Sequence, residues 1–196
     1  MRILWVKTGG LIPLDTGGKI RSYHLLRGLA RAHPVTLFTY YEAHEDDRHE
    51  ELRPFLERLV AIPLAPLGER GWRRAVDYGR HLCSSEPYSM WKFNRPFVRK
   101  RLEEVCSKQS FDLILCDFVH PAGIIPWDYS ARKVIFTHNV EGRIWQRQAD
   151  VAENRIWRAV YGLESRRLAR AERRYLPQAD RVLTVSDADR EGFPNS

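Results

Sequence analysis

With 196 residues, 43% of them hydrophobic and 29% charged, the chain has the balance of one core-forming globular domain, which excludes a disordered or fibrous class. No apolar stretch approaches the roughly 18–20 residues of a membrane-spanning helix, and the four strongly apolar residues after Met1-Arg2 are too few for a secretory signal. The net charge of +7, with arginine supplying 26 of the 32 basic residues, leaves nucleic acid, anionic membrane and phosphorylated substrate open as partners.

The first apolar run, Arg2–Val6, reads as a strand and leads into Asp15-Thr16-Gly17-Gly18-Lys19-Ile20-Arg21-Ser22. Two adjacent glycines before a helix let backbone N–H groups approach a ligand, and the helix N-terminus behind them favours negative charge. The same pair is also ordinary turn chemistry. The helix is expected over Lys19–Ala32, with Leu25, Leu26 and Leu29 facing a sheet and Lys19 and Arg21 in its first turn. Cations there oppose the helix dipole, a cost that a nearby anion offsets, although solvated charges explain them equally well. Known nucleotide signatures fail. Gly-x-Gly-x-x-Gly is absent, and the positions a P-loop needs hold Pro13 and Ile20, which argues against a kinase, a nucleoside triphosphatase and an ordinary nicotinamide dehydrogenase.

Further strands are expected at Val35–Tyr41, Leu59–Pro63, Asp112–Cys116, Lys133–Thr137 and Arg181–Ser186, with helices near Asp46–Arg58, Glu69–Cys83, Arg95–Lys108 and Asn154–Leu176. His44 and His49 lack the i, i+4 spacing of a zinc pair and read as solvated surface. Ala65–Tyr88, with Trp72, Tyr78, Pro87 and Tyr88, is less regular and reads as a loop or short helices near a site. Cys83, Cys106 and Cys116 lack CxxC spacing and read as buried free thiols in a reducing cytoplasm. Short apolar strands alternating with helices specify an α/β class: a Rossmann-like, doubly wound, mainly parallel sheet of six or seven strands with helices on both faces.

The fifth strand ends in Phe136-Thr137-His138-Asn139-Val140-Glu141, on the rim where the Gly17-Gly18 loop also emerges. Histidine and asparagine at a strand's carboxyl end suit sugar hydroxyls or phosphate oxygens, while helix capping explains Asn139 well and His138 less well. In the long helix, Trp157, Val160, Tyr161, Leu168, Ala171 and Tyr175 form an apolar stripe and Pro177 ends the run. Its arginines outnumber its glutamates, so the remaining face reads first as solvated and second as a surface for a membrane or an anionic acceptor. The aromatic residues read as core and helix stripe rather than stacking platforms, so nucleic acid is not an expected partner.

Gly17-Gly18, Thr137-His138-Asn139 and Ala179-Asp180-Arg181-Val182-Leu183-Thr184-Val185-Ser186, in that order, make residues 1–192 resemble the N-terminal domain of family 4 glycosyltransferases. These are GT-B enzymes with two Rossmann-like domains facing across a cleft. Lys19-Ile20-Arg21-Ser22-Tyr23-His24-Leu25-Leu26 is similar to the branch associated with exopolysaccharide sugar transfer. The resemblance implies an acceptor-side half of a retaining enzyme that moves a hexose from a nucleotide-sugar to a glycan or lipid-linked acceptor. Gly17, Gly18, Lys19, Arg21, His138, Asn139, Glu141 and Ser186 are then the substrate-binding candidates, with no general base named. No cofactor and no Asp-x-Asp metal motif are implied; Asp187-Ala188-Asp189 has the spacing but reads as a helix start. The nucleotide-sugar domain of such enzymes is absent from this sequence, so the chain alone is expected to transfer little. The expected location is cytoplasmic, with peripheral contact at the inner membrane face through the basic surface. The alternative is a non-catalytic module for an anionic glycan, lipid head group or partner protein, resting on the basic surplus.

Overall fold

The computed structural model describes residues 1–43, 49–65, 76, 78–138 and 140–185. Among the described residues, six strands form one all-parallel sheet: β1 (Ile3–Thr8), β2 (Val35–Glu42), β3 (Arg58–Leu64), β4 (Leu113–Asp117), β5 (Arg132–Thr137) and β6 (Arg181–Thr184). Their spatial order is β3-β2-β1-β4-β5-β6. The order reverses direction between β1 and β4, and that switch point opens a crevice above the carboxyl ends of the two strands.

The α-helices whose bounds lie within the described residues are α1 (Gly17–Ala30), α2 (Tyr88–Phe93), α3 (Pro96–Lys108), α4 (Glu141–Val151) and α5 (Arg155–Tyr175). Alternation along each strand divides the core into two layers. Leu4, Val6, Phe38, Tyr40, Ile114, Cys116 and Ile135 face one side, against Met90 of α2, Val98, Leu102 and Val105 of α3, and Ala171 and Tyr175 of α5. Ile3, Trp5, Val35, Leu37, Leu115 and Phe136 face the other, against Leu26 of α1, with Leu25 and Leu29 partly buried beside it. The sheet is therefore covered on both faces, which is why its central strands read as unbroken apolar runs.

Several local expectations need correction. The helix expected over 46–58 is, within the described residues, a 3-10 segment at His49–Phe55 containing Pro54, which cannot donate to a helical ladder. His49 is buried rather than solvated: its Nε2 accepts the Leu11 N–H at 3.2 Å and its ring lies 4.5 Å from that of Tyr41. Cys106 and Cys116 are buried, but Cys83 is exposed. Helix α4 was not legible as a separate element. In α5 the buried stripe runs from Glu164 to Tyr175, whereas Trp157 near its start is exposed. Most of the helix expected at Glu69–Cys83 lies outside the described residues, as do His44, Asn139, Ser186 and Asp187-Ala188-Asp189.

Candidate functional site

Beta-1 and β4 run side by side in a register that pairs Lys7 with Asp117, one opposite charge at the carboxyl end of each strand. Both side chains are buried and their charged atoms lie 3.2 Å apart. Asp117 is a hub. Its Oδ2 also accepts the Trp5 indole N–H at 3.2 Å, and its Oδ1 lies 3.0 Å from His138 Nε2. Ser22 of α1 hydrogen-bonds the same carboxylate, and its Oγ lies 3.3 Å from His138 Nε2. Burial works against the ionised carboxylate, but Lys7 and the bonds from His138 and Ser22 outweigh it and hold the Asp117 pKa below the ordinary range.

Phe118 follows the hub with φ +70, a left-handed conformation that costs a non-glycine residue about 1–2 kcal/mol. Its N–H donates to Phe136 O at 2.8 Å, and its carbonyl receives the Cys116 thiol at 3.1 Å. Its ring stacks on His138 with centroids 4.1 Å apart, and the Lys7 ammonium lies 5.4 Å from the same ring. The turn thus lays an aromatic face over the ion pair. Gly18 completes the contact: a Cβ there would sit 3.1 Å from Phe118 Cζ. A side chain here would push the tip of the Phe118 ring away by a few tenths of an ångström or more.

Around that contact lies a pocket of about 320 Å³ lined by Lys7, Thr8, Gly9, Gly10, Thr16, Gly18, Lys19, Phe118, His120 and Glu141. Thr16 caps α1, its hydroxyl accepting the Lys19 N–H at 3.4 Å, and the first-turn N–H groups of a helix have no acceptor within it. Lys19 Nζ pairs with Asp15 at 3.1 Å. Burial, reinforced by Lys7, lowers the His120 pKa to about 4, so its imidazole is neutral at physiological pH. The arrangement offers hydroxyl-binding donors and acceptors, an aromatic platform and a helix N-terminus, with its lysines already charge-paired.

Of the residues singled out from sequence, Gly18, Lys19 and Glu141 line this pocket. Gly17 is exposed at its edge and Arg21 points to solvent. His138 is fully buried one layer beneath, behind Phe118, because Asp117 and Ser22 draw its ring inward. With Nε2–H facing the carboxylate, its Nδ1 has no hydrogen-bond partner among the described residues. Asn139 and Ser186 lie outside the described residues. Sequence reasoning missed Lys7, Asp117, Phe118 and His120. The available signal was a charged residue directly beyond each of two apolar strands. No group of three or more His, Cys, Asp or Glu side chains among the described residues is placed to hold a metal ion.

Glu141 carries a second, unforeseen partner. Glu172 of α5 is buried and accepts the backbone N–H groups of Glu141 and Gly142 at the start of α4. Burial lifts both carboxyl groups to about 7, and the Glu172 charge adds to the shift at Glu141. The folded state therefore holds more protons than the unfolded chain between the ordinary 4.5 and about 7, and stability falls as pH rises through that interval. Glu141→Gln is expected to recover on the order of 1–2 kcal/mol at pH 8 and little at pH 5. Urea melts at both pH values measure this; a variant that tracks the wild type at each would refute the coupling.

A family model described as a glycosyl transferase 4-like domain matches residues 16–195. No curated protein matches the chain. Among solved structures, the C-terminal domain (residues 83–215) of PF1911 hydrogenase from Pyrococcus furiosus is 12% identical, covers 68% of this chain and 89% of its own, and superposes with a TM-score of 0.44. Arabidopsis thaliana UGT89C1 complexed with UDP is 15% identical, with 94% of this chain and 42% of that chain covered and a TM-score of 0.47.

Proposed function

Because the chain belongs to the glycosyl transferase 4-like domain family, we propose that it is the acceptor-side domain of a retaining enzyme that moves a hexose from a nucleotide-sugar to a glycan or lipid-linked acceptor. The observation that carries this reading is the pocket at the sheet's switch point, where Gly18 at the start of α1 meets Phe118 above the Lys7–Asp117 pair. A carbohydrate presents hydroxyls around an apolar ring face, and the pocket answers with the accepting Glu141 carboxylate, threonine hydroxyls and backbone N–H groups around an aromatic ring. Glu141 is the residue we assign to an acceptor hydroxyl. A carboxyl group near pKa 7 accepts a hydrogen bond when ionised and is suited to proton uptake at neutral pH.

The first-turn N–H groups of Gly17 and Gly18 suit an oxygen of the donor diphosphate reaching across from a second domain. His138 is a positioning residue in this scheme. It holds Asp117 on one side and carries the Phe118 ring on the other. Transfer needs groups on both sides of the reacting bond, so the domain by itself turns over little or nothing. Neither a metal nor a cofactor enters the proposal.

Titrating the chain with a nucleoside diphosphate and with monosaccharides, while following the Gly17 and Gly18 amides and the Phe118 ring by NMR, tests it. Saturable shifts confined to these signals are expected. Gly18→Val is expected to displace the Phe118 ring and weaken binding about tenfold or more, because its Cβ alone would lie 3.1 Å from Phe118 Cζ and its two methyls add to the crowding. Silence at all three positions in the wild type would sink the proposal.

A further inference from the structure

The hairpin formed by α4 and α5 exposes apolar side chains at its turn. Val151 is 78% exposed, Ile156 73% and Trp157 55%. Sequence places them within seven residues, and Asn154 fixes the last two by accepting the Ile156 and Trp157 N–H groups at 2.8 and 3.4 Å. Trp157 stacks on Tyr161 with centroids 5.8 Å apart, and Trp145 of α4 meets Tyr161 edge-on at 5.7 Å. The aromatic rings brace one another along the outer face of the hairpin rather than entering the sheet's core.

Arginines flank this apolar tip and outnumber its two exposed carboxylates, Asp150 and Glu153. A groove of about 740 Å³ between the two helices is lined by Arg155, Arg158 and Arg166, with Asp150 the one carboxylate among its lining residues. The Arg158 guanidinium donates to Ala152 O at 2.8 and 3.2 Å, which holds it across the turn. Apolar and aromatic side chains standing among arginines match the boundary between acyl chains and anionic headgroups, where each class finds its own solvent. No helix among the described residues is long and apolar enough to cross a membrane, so the contact is peripheral.

We propose that this hairpin tip docks on an anionic lipid bilayer, with Val151, Ile156 and Trp157 entering the interface and Arg155, Arg158 and Arg166 meeting lipid phosphates. Glu141 and Val151 are the two ends of α4, about 15 Å apart along the helix, so docking sets the pocket's orientation near the surface. The inference stands apart from sugar transfer, since vesicle binding is measured without donor or acceptor.

Flotation with vesicles rich in phosphatidylglycerol, and with pure phosphatidylcholine vesicles, tests it. Wild type is expected to float with the anionic vesicles and to be released by salt. The Ile156→Glu/Trp157→Glu pair is expected to lose roughly tenfold or more in partition, and Arg155→Glu/Arg166→Glu a similar factor. All four side chains are exposed, so circular dichroism should show the fold unchanged. The proposal is overturned if wild type ignores anionic vesicles, if both double variants float as well as wild type, or if sedimentation shows a dimer that the Ile156→Glu/Trp157→Glu pair dissociates.

Discussion

Arg167→Leu is expected to cost about 3–5 kcal/mol, a large part of the roughly 5–15 kcal/mol that holds a domain folded. Arg167 lies on the inner face of α5 and is almost fully buried. Its Nη1 donates to Glu164 Oε1 at 2.8 Å and to His81 Nδ1 at 3.1 Å, while Nη2 donates to the carbonyls of Leu82 at 3.0 Å and Ser84 at 2.7 Å. His81 can accept that bond because its other nitrogen, Nε2, donates to Glu86 O at 2.6 Å, which fixes the neutral tautomer. Burial lowers the His81 pKa below 6.5 and keeps the ring uncharged; this contribution is present above 6.5 and lost as pH falls through the lower folded value. Glu164 in turn accepts the Tyr88 N–H at 2.7 Å and the Tyr78 hydroxyl at 3.3 Å.

One guanidinium therefore ties residues 81–84 to α5. Leucine fills part of the volume but leaves the buried Glu164 carboxylate without its counter-charge and two carbonyls without their donor. Arg167→Lys is expected to lose about half as much, since a single ammonium cannot fork between Glu164 and two carbonyls. Urea denaturation measures both losses. A cost below about 1 kcal/mol for the leucine variant would show that the network contributes no net stability.

The second large effect concerns the hub beneath the pocket. Asp117→Ala is expected to cost about 3–5 kcal/mol because it leaves the buried Lys7 ammonium without its counter-ion, 5.4 Å from the Phe118 ring. It also removes the acceptor that orients His138, so the Phe118 turn should relax and ligand shifts at Gly18 should vanish. The double variant Lys7→Met/Asp117→Asn is expected to regain more than half of the stability lost by Asp117→Asn alone, because it removes the orphaned charge together with its partner. If the two single losses simply add, Lys7 and Asp117 are not coupled. The wild-type contribution should persist above about pH 4 and disappear on further acidification, because the folded-state pKa lies below the ordinary 3.8 and only the unfolded chain holds the proton in between.

The alternation of apolar runs with helix-period segments was a local signal, and it located all six strands to within a few residues. The glycines marked the entry to α1, but the helix expected from Lys19 begins two residues earlier at Gly17, because the Thr16 hydroxyl caps it there. The weaker readings failed where locality ends. His49 lies in a polar stretch, yet a backbone donor from Leu11 draws it inside. Trp157 fits the periodicity of a buried stripe but remains exposed, because hydrophobic spacing names a face without saying what covers it.

By itself, the sequence determined an α/β domain with twin glycines at the entry to its first helix, which the structure makes the first two helical residues, and with His138 at the end of a strand. It could not determine the site, because the residues that build it are brought together by strand order. Lys7 and Asp117 stand 110 positions apart and become neighbours only when β1 pairs with β4. Once that register is set, a buried carboxylate must gather every donor within reach, and it turns His138 away from the pocket it seemed placed to line. Short-range preferences write the elements; charge burial, acting across the assembled sheet, chooses which side chains meet a ligand.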